Sequence, residues 1–178
     1  MDFIKTGFYG LYIVKNIIST DDRGKFIKRY NKEEFERNGI FFNLEEQYFS
    51  VSKKDVIRGM HFQAPPYDHS KLVYVINGSI VDVVVDLRKN SPTYGKCFEQ
   101  VLTSKENTSL FISSGFAHGF KALEDDTLMM YNVSSKYNKD SDMGIKWNSI
   151  DYDWGIKNPI ISKRDSEFLS FQDFNSPF

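Results

Sequence analysis

Between Tyr9 and Ser134 the chain is a succession of short β-prone runs cut by turn signals, with one helical interruption. The runs are Tyr9–Ile18, Lys25–Tyr30, Glu45–Ser52, Val56–Phe62, Leu72–Ile76, Ile80–Leu87, Cys97–Thr103, Ser109–Ile112, Phe116–Ala122 and Leu128–Ser134. Many short strands at this spacing leave few solutions other than a sandwich, jelly roll or barrel. The helix is marked at both ends. Asn31 is the N-cap, Glu33 and Glu34 occupy the first turn of Lys32–Asn38, and Gly39 stands at C′. Asn77-Gly78 between two apolar runs predicts a hairpin, and Ser113-Ser114-Gly115 and Glu124-Asp125-Asp126 predict further turns.

The run Ile80–Leu87 carries the most detail. Val81, Val83, Val85 and Leu87 share one face, which is uniformly apolar and fits a core. Ile80, Asp82, Val84 and Asp86 share the other. Two carboxylates in a strand that reads as central need partners such as arginine or backbone N–H groups. A charge pair of Arg88 with Asp82 or Asp86 reads as structural. From about Asn148 onward the sequence is loop-like but rich in Trp, Phe and Ile. A disordered tail is poorer in such residues, so it is expected to pack back on the strands, with a short helix near Arg164–Leu169. No linker, repeat or low-complexity stretch divides the chain, which reads as one domain over residues 1–178.

Composition narrows the function classes. The aromatic share, 16%, suits strands and ligand pockets. A net charge of −1 offers no general attraction to nucleic acid or anionic membrane. Any anionic ligand must therefore be held by a few local cations. Cys97 is the lone cysteine, which excludes an intrachain disulfide framework and suits a reducing cytoplasm. The start MDFIKTGFYG lacks a signal-peptide pattern, and no apolar run approaches the ~20 residues that span a bilayer.

Of the three histidines, His61 lies in a β-prone run three residues after Arg58, and His118 follows a turn. His69 sits in the loop APPYDHSK and reads as a structural or exposed loop residue. No HxH pair or other ligand cluster is present, so the protein is expected to be metal-free and to need no cofactor.

An ordered set of motifs runs from about residue 20 to 165. It comprises Asp22–Phe26 (DRGKF), Ser50–Gln63 ending in IRGMHFQ, Lys71–Val73, Asp82–Arg88, Ser91–Gly95, Gly115–Phe120 (GFAHGF), Tyr131 and Ser162–Asp165 (SKRD). In order and spacing this set resembles the dTDP-4-dehydrorhamnose 3,5-epimerase family. The resemblance implies an all-β fold, the cupin-type double-stranded β-helix or jelly roll. It also implies a homodimer that exchanges N-terminal strands, and a nucleoside-diphosphate-linked 4-keto sugar as substrate.

The chemistry explains the residue types. Removing a proton from carbon beside a ketone puts charge on the carbonyl oxygen. The reaction needs a base, a cation or donor at that oxygen, and an acid on the opposite ring face. The resemblance implies that His61 is the base, with an intrinsic pKa of about 6.5 near working pH. Asp165 would orient the imidazole, Lys71 would stabilise the enolate, and Tyr131 would return the proton. Arg23 and Arg58 carry over as diphosphate contacts, because a guanidinium matches phosphate oxygens. His118 carries over as a pocket residue near the phosphates, with a structural strand-end role open beside it. Phe26 is placed against the base or sugar. Glu46 opens the segment Glu46-Gln47-Tyr48-Phe49, where the family commonly has Gln-x-Asn. Tyr74 and Asn132 stand where Arg and Lys are common. These departures leave the nucleotide open among dTDP, GDP and CDP, and leave open inversion at C3, C5 or both. Two other readings stay open: a ketoisomerase of the same substrate class, and a non-catalytic cupin that binds sugar nucleotides.

Overall fold

A computed structural model describes residues 1–178. In chain order the elements are β1 (Asp2–Lys5), β2 (Leu11–Lys15), β3 (Ile17–Asp21), β4 (Gly24–Lys28), α1 (Lys32–Arg37), β5 (Glu46–Ser52), β6 (Ile57–Gln63) and β7 (Lys71–Asn77). They continue with β8 (Ser79–Asp86), β9 (Cys97–Thr103), β10 (Thr108–Ile112), β11 (Phe116–Ala122), β12 (Thr127–Val133), β13 (Asp142–Gly144) and α2 (Lys163–Ser166). A six-stranded sheet has the order β1-β2-β10-β7-β12-β5, and a five-stranded sheet the order β13-β6-β11-β8-β9. The pairings within both are antiparallel. This is the expected all-β jelly roll, and no helix in it is long and apolar enough to cross a membrane.

Asn77-Gly78 does not close a hairpin. β7 pairs with β10 and β12, whereas β8 pairs with β9 and β11. The turn instead carries the chain from one sheet to the other. Gly78 adopts φ +80°, and a Cβ there would lie 2.4 Å from Thr127 Oγ1. A tight turn is encoded locally, but its use is set by which strands pair. The expected strand Tyr9–Ile18 is likewise broken. At Asn16 the side chain donates to Asn107 O (2.7 Å) and Ser109 Oγ (3.0 Å). Beyond it β3 leaves the sheet and pairs with β4 as a separate two-stranded hairpin. The short strands β1 and β13 had no sequence signal of their own.

Three apolar clusters hold the fold. The first lies between the sheets and includes Val73, Val75, Ile80, Val84, Leu110, Phe120 and Met129. The second covers the outer face of the five-stranded sheet, where Val83, Val85 and Leu87 meet Ile150, Trp154 and Phe174 of the tail. Both faces of β8 are therefore buried. Its all-valine face packs under the C-terminal segment, while the face bearing Asp82 and Asp86 points between the sheets. Asp86 is held by Arg88, Ser91 and Thr93, as a structural pair. Asp82 finds His118 rather than an arginine or a backbone N–H.

The third cluster joins α1 to the outer face of the six-stranded sheet through Phe35, Ile40, Phe42, Leu72 and Phe111. Asn31 Oδ1 accepts from Glu34 N, and Gly39 N and Ile40 N return to Glu36 O and Phe35 O. Replacing the cap costs about 1 kcal/mol. Truncating the fully buried Phe35 costs about 3–5 kcal/mol. Packing, rather than capping, keeps this short helix folded.

Candidate active site

One end of the space between the sheets is a cavity of about 400 Å³. Its walls come from opposite sheets. β6 and β11 contribute Arg58, His61, Gln63 and His118; β5, β7 and β12 contribute Glu46, Tyr48, Ser50, Lys71 and Tyr131. Strand alternation selects these positions. Lys71 and Val73 face inward, whereas Leu72 packs on the outer face against the cluster around α1.

His61 Nε2 lies 2.9 Å from Asp165 Oδ1. Asp165 is carried to it by α2, whose N-cap Ser162 Oγ accepts from Asp165 N at 3.1 Å. The second carboxylate oxygen accepts from Gly59 N at 3.1 Å. Burial would raise the Asp165 carboxyl. The hydrogen bond and charge of His61, with Gly59 and Ser162, outweigh that and hold it below the usual carboxylate value. An ionised Asp165 can only accept, so His61 Nε2 carries a proton, and the lone pair of the neutral ring is the one on Nδ1. The local backbone requires glycine. A Cβ on Gly59 would lie 2.6 Å from Gly119 Cα, so any side chain would force β6 and β11 apart beside both histidines.

Across the cavity, Lys71 is buried and its Nζ donates to His61 O at 3.1 Å. Burial lowers its pKa to about 8, against the pull of Asp82 and Asp142. Tyr131 Oη lies 3.3 Å from Ser50 Oγ, and its ring stacks on Tyr48 with centroids 5.0 Å apart and planes at 20°. Burial raises the Tyr131 phenol well above its usual value, with Ser50 opposing, so it holds its proton at neutral pH. Tyr48 is pushed up to about 12, first by burial and then by Glu46 and Asp142. The cavity thus sets an oriented imidazole on one sheet against an ammonium and a protonated phenol on the other. That is equipment for taking and returning a proton at carbon beside a carbonyl.

His118 is 3% exposed and sits inside β11 rather than at a strand end. Its Nε2 lies 2.8 Å from Asp82 Oδ2, and its ring centroid is 6.3 Å from that of Tyr131. Burial lowers His118 against the pull of Asp82, and burial raises Asp82 against the pull of His118 and Lys71. Arg58 borders the cavity, with Nε donating to Ser52 Oγ at 3.1 Å. Glu46 also lines it and accepts from Tyr137 N at 3.0 Å.

Arg23 and Phe26 do not line the cavity. They lie on the detached β3–β4 hairpin, Arg23 with a 90% exposed side chain paired to Asp21 and Phe26 62% exposed. Tyr74 and Asn132 also lie away from it. Tyr74 sits under the Arg29 guanidinium, 4.8 Å from its ring, and Asn132 joins Gln47 to Leu72 O. Of Glu46, Tyr74 and Asn132, Glu46 alone borders the cavity. His69, expected to be an ordinary loop histidine, is a lining residue, as are Gln63, Tyr137, Asp142 and Arg164. The loop around His69 carries no periodicity that would mark an inward-facing position. No three His, Cys, Asp or Glu side chains converge as metal ligands.

Residues 5–173 match the family model described as dTDP-4-dehydrorhamnose 3,5-epimerase. The chain is 36% identical to the dTDP-4-dehydrorhamnose 3,5-epimerase of Shigella flexneri over 97% of both chains. It is 40% identical to that of Methanothermobacter thermautotrophicus, over 96% of this chain and 95% of that one. The fold superposes with a TM-score of 0.92 on the crystal structure of the Elizabethkingia anophelis enzyme, at 34% identity and 97% coverage of both chains. A TM-score of 0.92 also relates it to the Legionella pneumophila 3,5-epimerase solved in complex with dTDP-4-keto-L-rhamnose. That match is 29% identical and covers 98% of this chain and 94% of that one.

Proposed function

Since the chain belongs to the dTDP-4-dehydrorhamnose 3,5-epimerase family, an isomerase family acting on nucleotide sugars, we propose that it inverts C3 and C5 of a dTDP-linked 4-keto-6-deoxyhexose. The observation that carries this reading is the His61–Asp165 pair on one wall, with Lys71 and Tyr131 on the other. His61 Nδ1 takes the proton from the carbon beside the ketone. The C–H electron pair becomes the enolate C=C, and the carbonyl electrons move to the C4 oxygen, where the Lys71 ammonium holds the charge. Tyr131 gives its phenolic proton to the opposite face. Loss of the His61 proton and reprotonation of the phenolate from water reset the site. No cofactor or metal enters this balance.

Arg58 at the cavity edge suits a diphosphate oxygen. Arg23 and Phe26 project from the detached hairpin, and they reach a site when that hairpin crosses to a second copy in a strand-exchanged homodimer. His118 lies deep beside Tyr131, which favours a place under the reacting ring over one at the phosphates. The dTDP nucleotide is favoured over GDP or CDP by the names of the relatives. The test is deuterium uptake from D₂O into dTDP-, GDP- and CDP-linked 4-keto sugars, with position and stereochemistry read by NMR. Uptake with inversion at C3 and C5 of the dTDP sugar is expected. Absence of uptake into all three sugars overturns the reading.

A further inference from the structure

The proposed reaction leaves one cavity histidine without a role. His69 lies two residues before Lys71 at the end of a loop fixed on both sides. Asp68 accepts from Ser114 Oγ, and Ser70 N donates to Ser134 Oγ at 2.9 Å. His69 Nδ1 is 3.3 Å from both Gln63 Nε2 and Ser135 Oγ.

Counting protons assigns the tautomer. Gln63 Oε1 accepts from Asn138 N at 2.7 Å, which orients the amide. Its two N–H protons have nearer takers in Tyr67 O (2.7 Å) and Lys136 O (3.1 Å). The single Ser135 hydroxyl proton goes to Tyr67 O at 2.7 Å. His69 Nδ1 is then left to donate its own proton to the Ser135 oxygen, so Nε2 carries a lone pair. Nε2 has no hydrogen-bond partner in the chain, and it is not among the sealed, unpartnered side-chain atoms, which are Asp82 Oδ1 and Asn107 Oδ1. Burial, then the neighbouring charges of Lys71 and His118, lower His69 to about 3 and keep the ring neutral. A neutral lone pair selects a donor. Phosphate and carbonyl oxygens are acceptors; of the donors a dTDP sugar carries, the thymine N–H and the hydroxyls, only a hexose hydroxyl lies beside the ketone.

We propose that His69 is a specificity-determining residue whose Nε2 accepts a hydrogen bond from the C3 hydroxyl, next to the ketone that Lys71 holds. The inference rests on the epimerase reading. C3 adjoins C4, so its hydroxyl lies beside the carbonyl oxygen, within reach of a residue flanking Lys71.

The test compares C5 deuterium uptake, as kcat/KM, on the dTDP-linked 4-keto-6-deoxyhexose and on its 3-deoxy counterpart. The parent protein, His69→Gln and His69→Phe are measured. The parent should favour the hydroxylated sugar by about five- to tenfold, the worth of one net hydrogen bond. Glutamine keeps an acceptor oxygen and should retain most of that preference. Phenylalanine has none and should bring the ratio near one, with uptake on the 3-deoxy sugar within about threefold of the parent. An unchanged ratio in His69→Phe, or an equal loss on both sugars, overturns the proposal and makes His69 structural. No uptake by the parent on either sugar overturns the epimerase reading itself, and the role of His69 with it.

Discussion

His61 and His118 are register partners on the adjacent strands β6 and β11, yet each is held by a different carboxylate. His61 meets Asp165 at 2.9 Å and His118 meets Asp82 at 2.8 Å. The His61 side chain is 29% exposed and that of His118 3%. Two histidines in neighbouring places thus have unequal access to a ligand, although each is bound to its carboxylate through Nε2.

His61→Asn should fold and bind dTDP but lose exchange by about a hundredfold or more, the usual worth of a general base. Asp165→Asn should lose less, because it orients the imidazole without touching substrate. Deuterium uptake beside dTDP titration checks both. Near-parental uptake in a folded His61→Asn protein would falsify the assignment of the base.

Tyr131→Phe should uncouple exchange from inversion. His61 can still remove and return the same proton, so deuterium enters while little inverted product forms. A single D₂O time course follows both quantities. Inversion as fast as exchange would make Tyr131 a packing residue, with the stacked Tyr48 the next candidate for the acid.

Exchange should fall as pH rises through about 8. Lys71 is shifted down to that value from 10.5, so its ammonium is present below pH 8 and lost above it. Tyr131, shifted upward, cannot produce this limb. In Lys71→Arg the limb should move well above pH 8, because guanidinium keeps its proton. A limb that stays near pH 8 in that variant would assign it to another group.

Mixing two inactive proteins should restore activity if the β3–β4 hairpin serves the neighbouring copy. His61→Asn keeps a sound hairpin, and Arg23→Ala keeps a sound barrel. A mixed dimer unites the two in one of its sites. After subunit exchange, recovery to about a quarter of the parental rate is expected from random pairing. A mixture that forms dimers but stays inactive would show that the hairpin does not serve the neighbouring copy.

Exhaustive EDTA treatment should leave exchange unchanged, since no three ligating side chains converge. Loss of activity restored by one added metal would overturn this.

What the sequence determined by itself was local and periodic. Alternation marked the strands, Asn31 and Gly39 marked the ends of α1, and the ordered motifs carried His61, Lys71, Tyr131 and Asp165 as a set. Alternation could show that β8 has two different faces, but not what covers each. With both faces buried, the partner of each is decided by distant chain, and the valine face met the tail. The same holds for Asn77-Gly78, which encodes a turn but not the sheets it joins. Asp165 reaches His61 across 104 residues, and Asp82 reaches His118 across 36. His69 enters the cavity because its loop is tied to Ser114 and Ser134. Pairing between strands and packing of the tail are contests among non-local partners. Their outcome depends on the summed burial of the whole chain, which no short window of sequence contains.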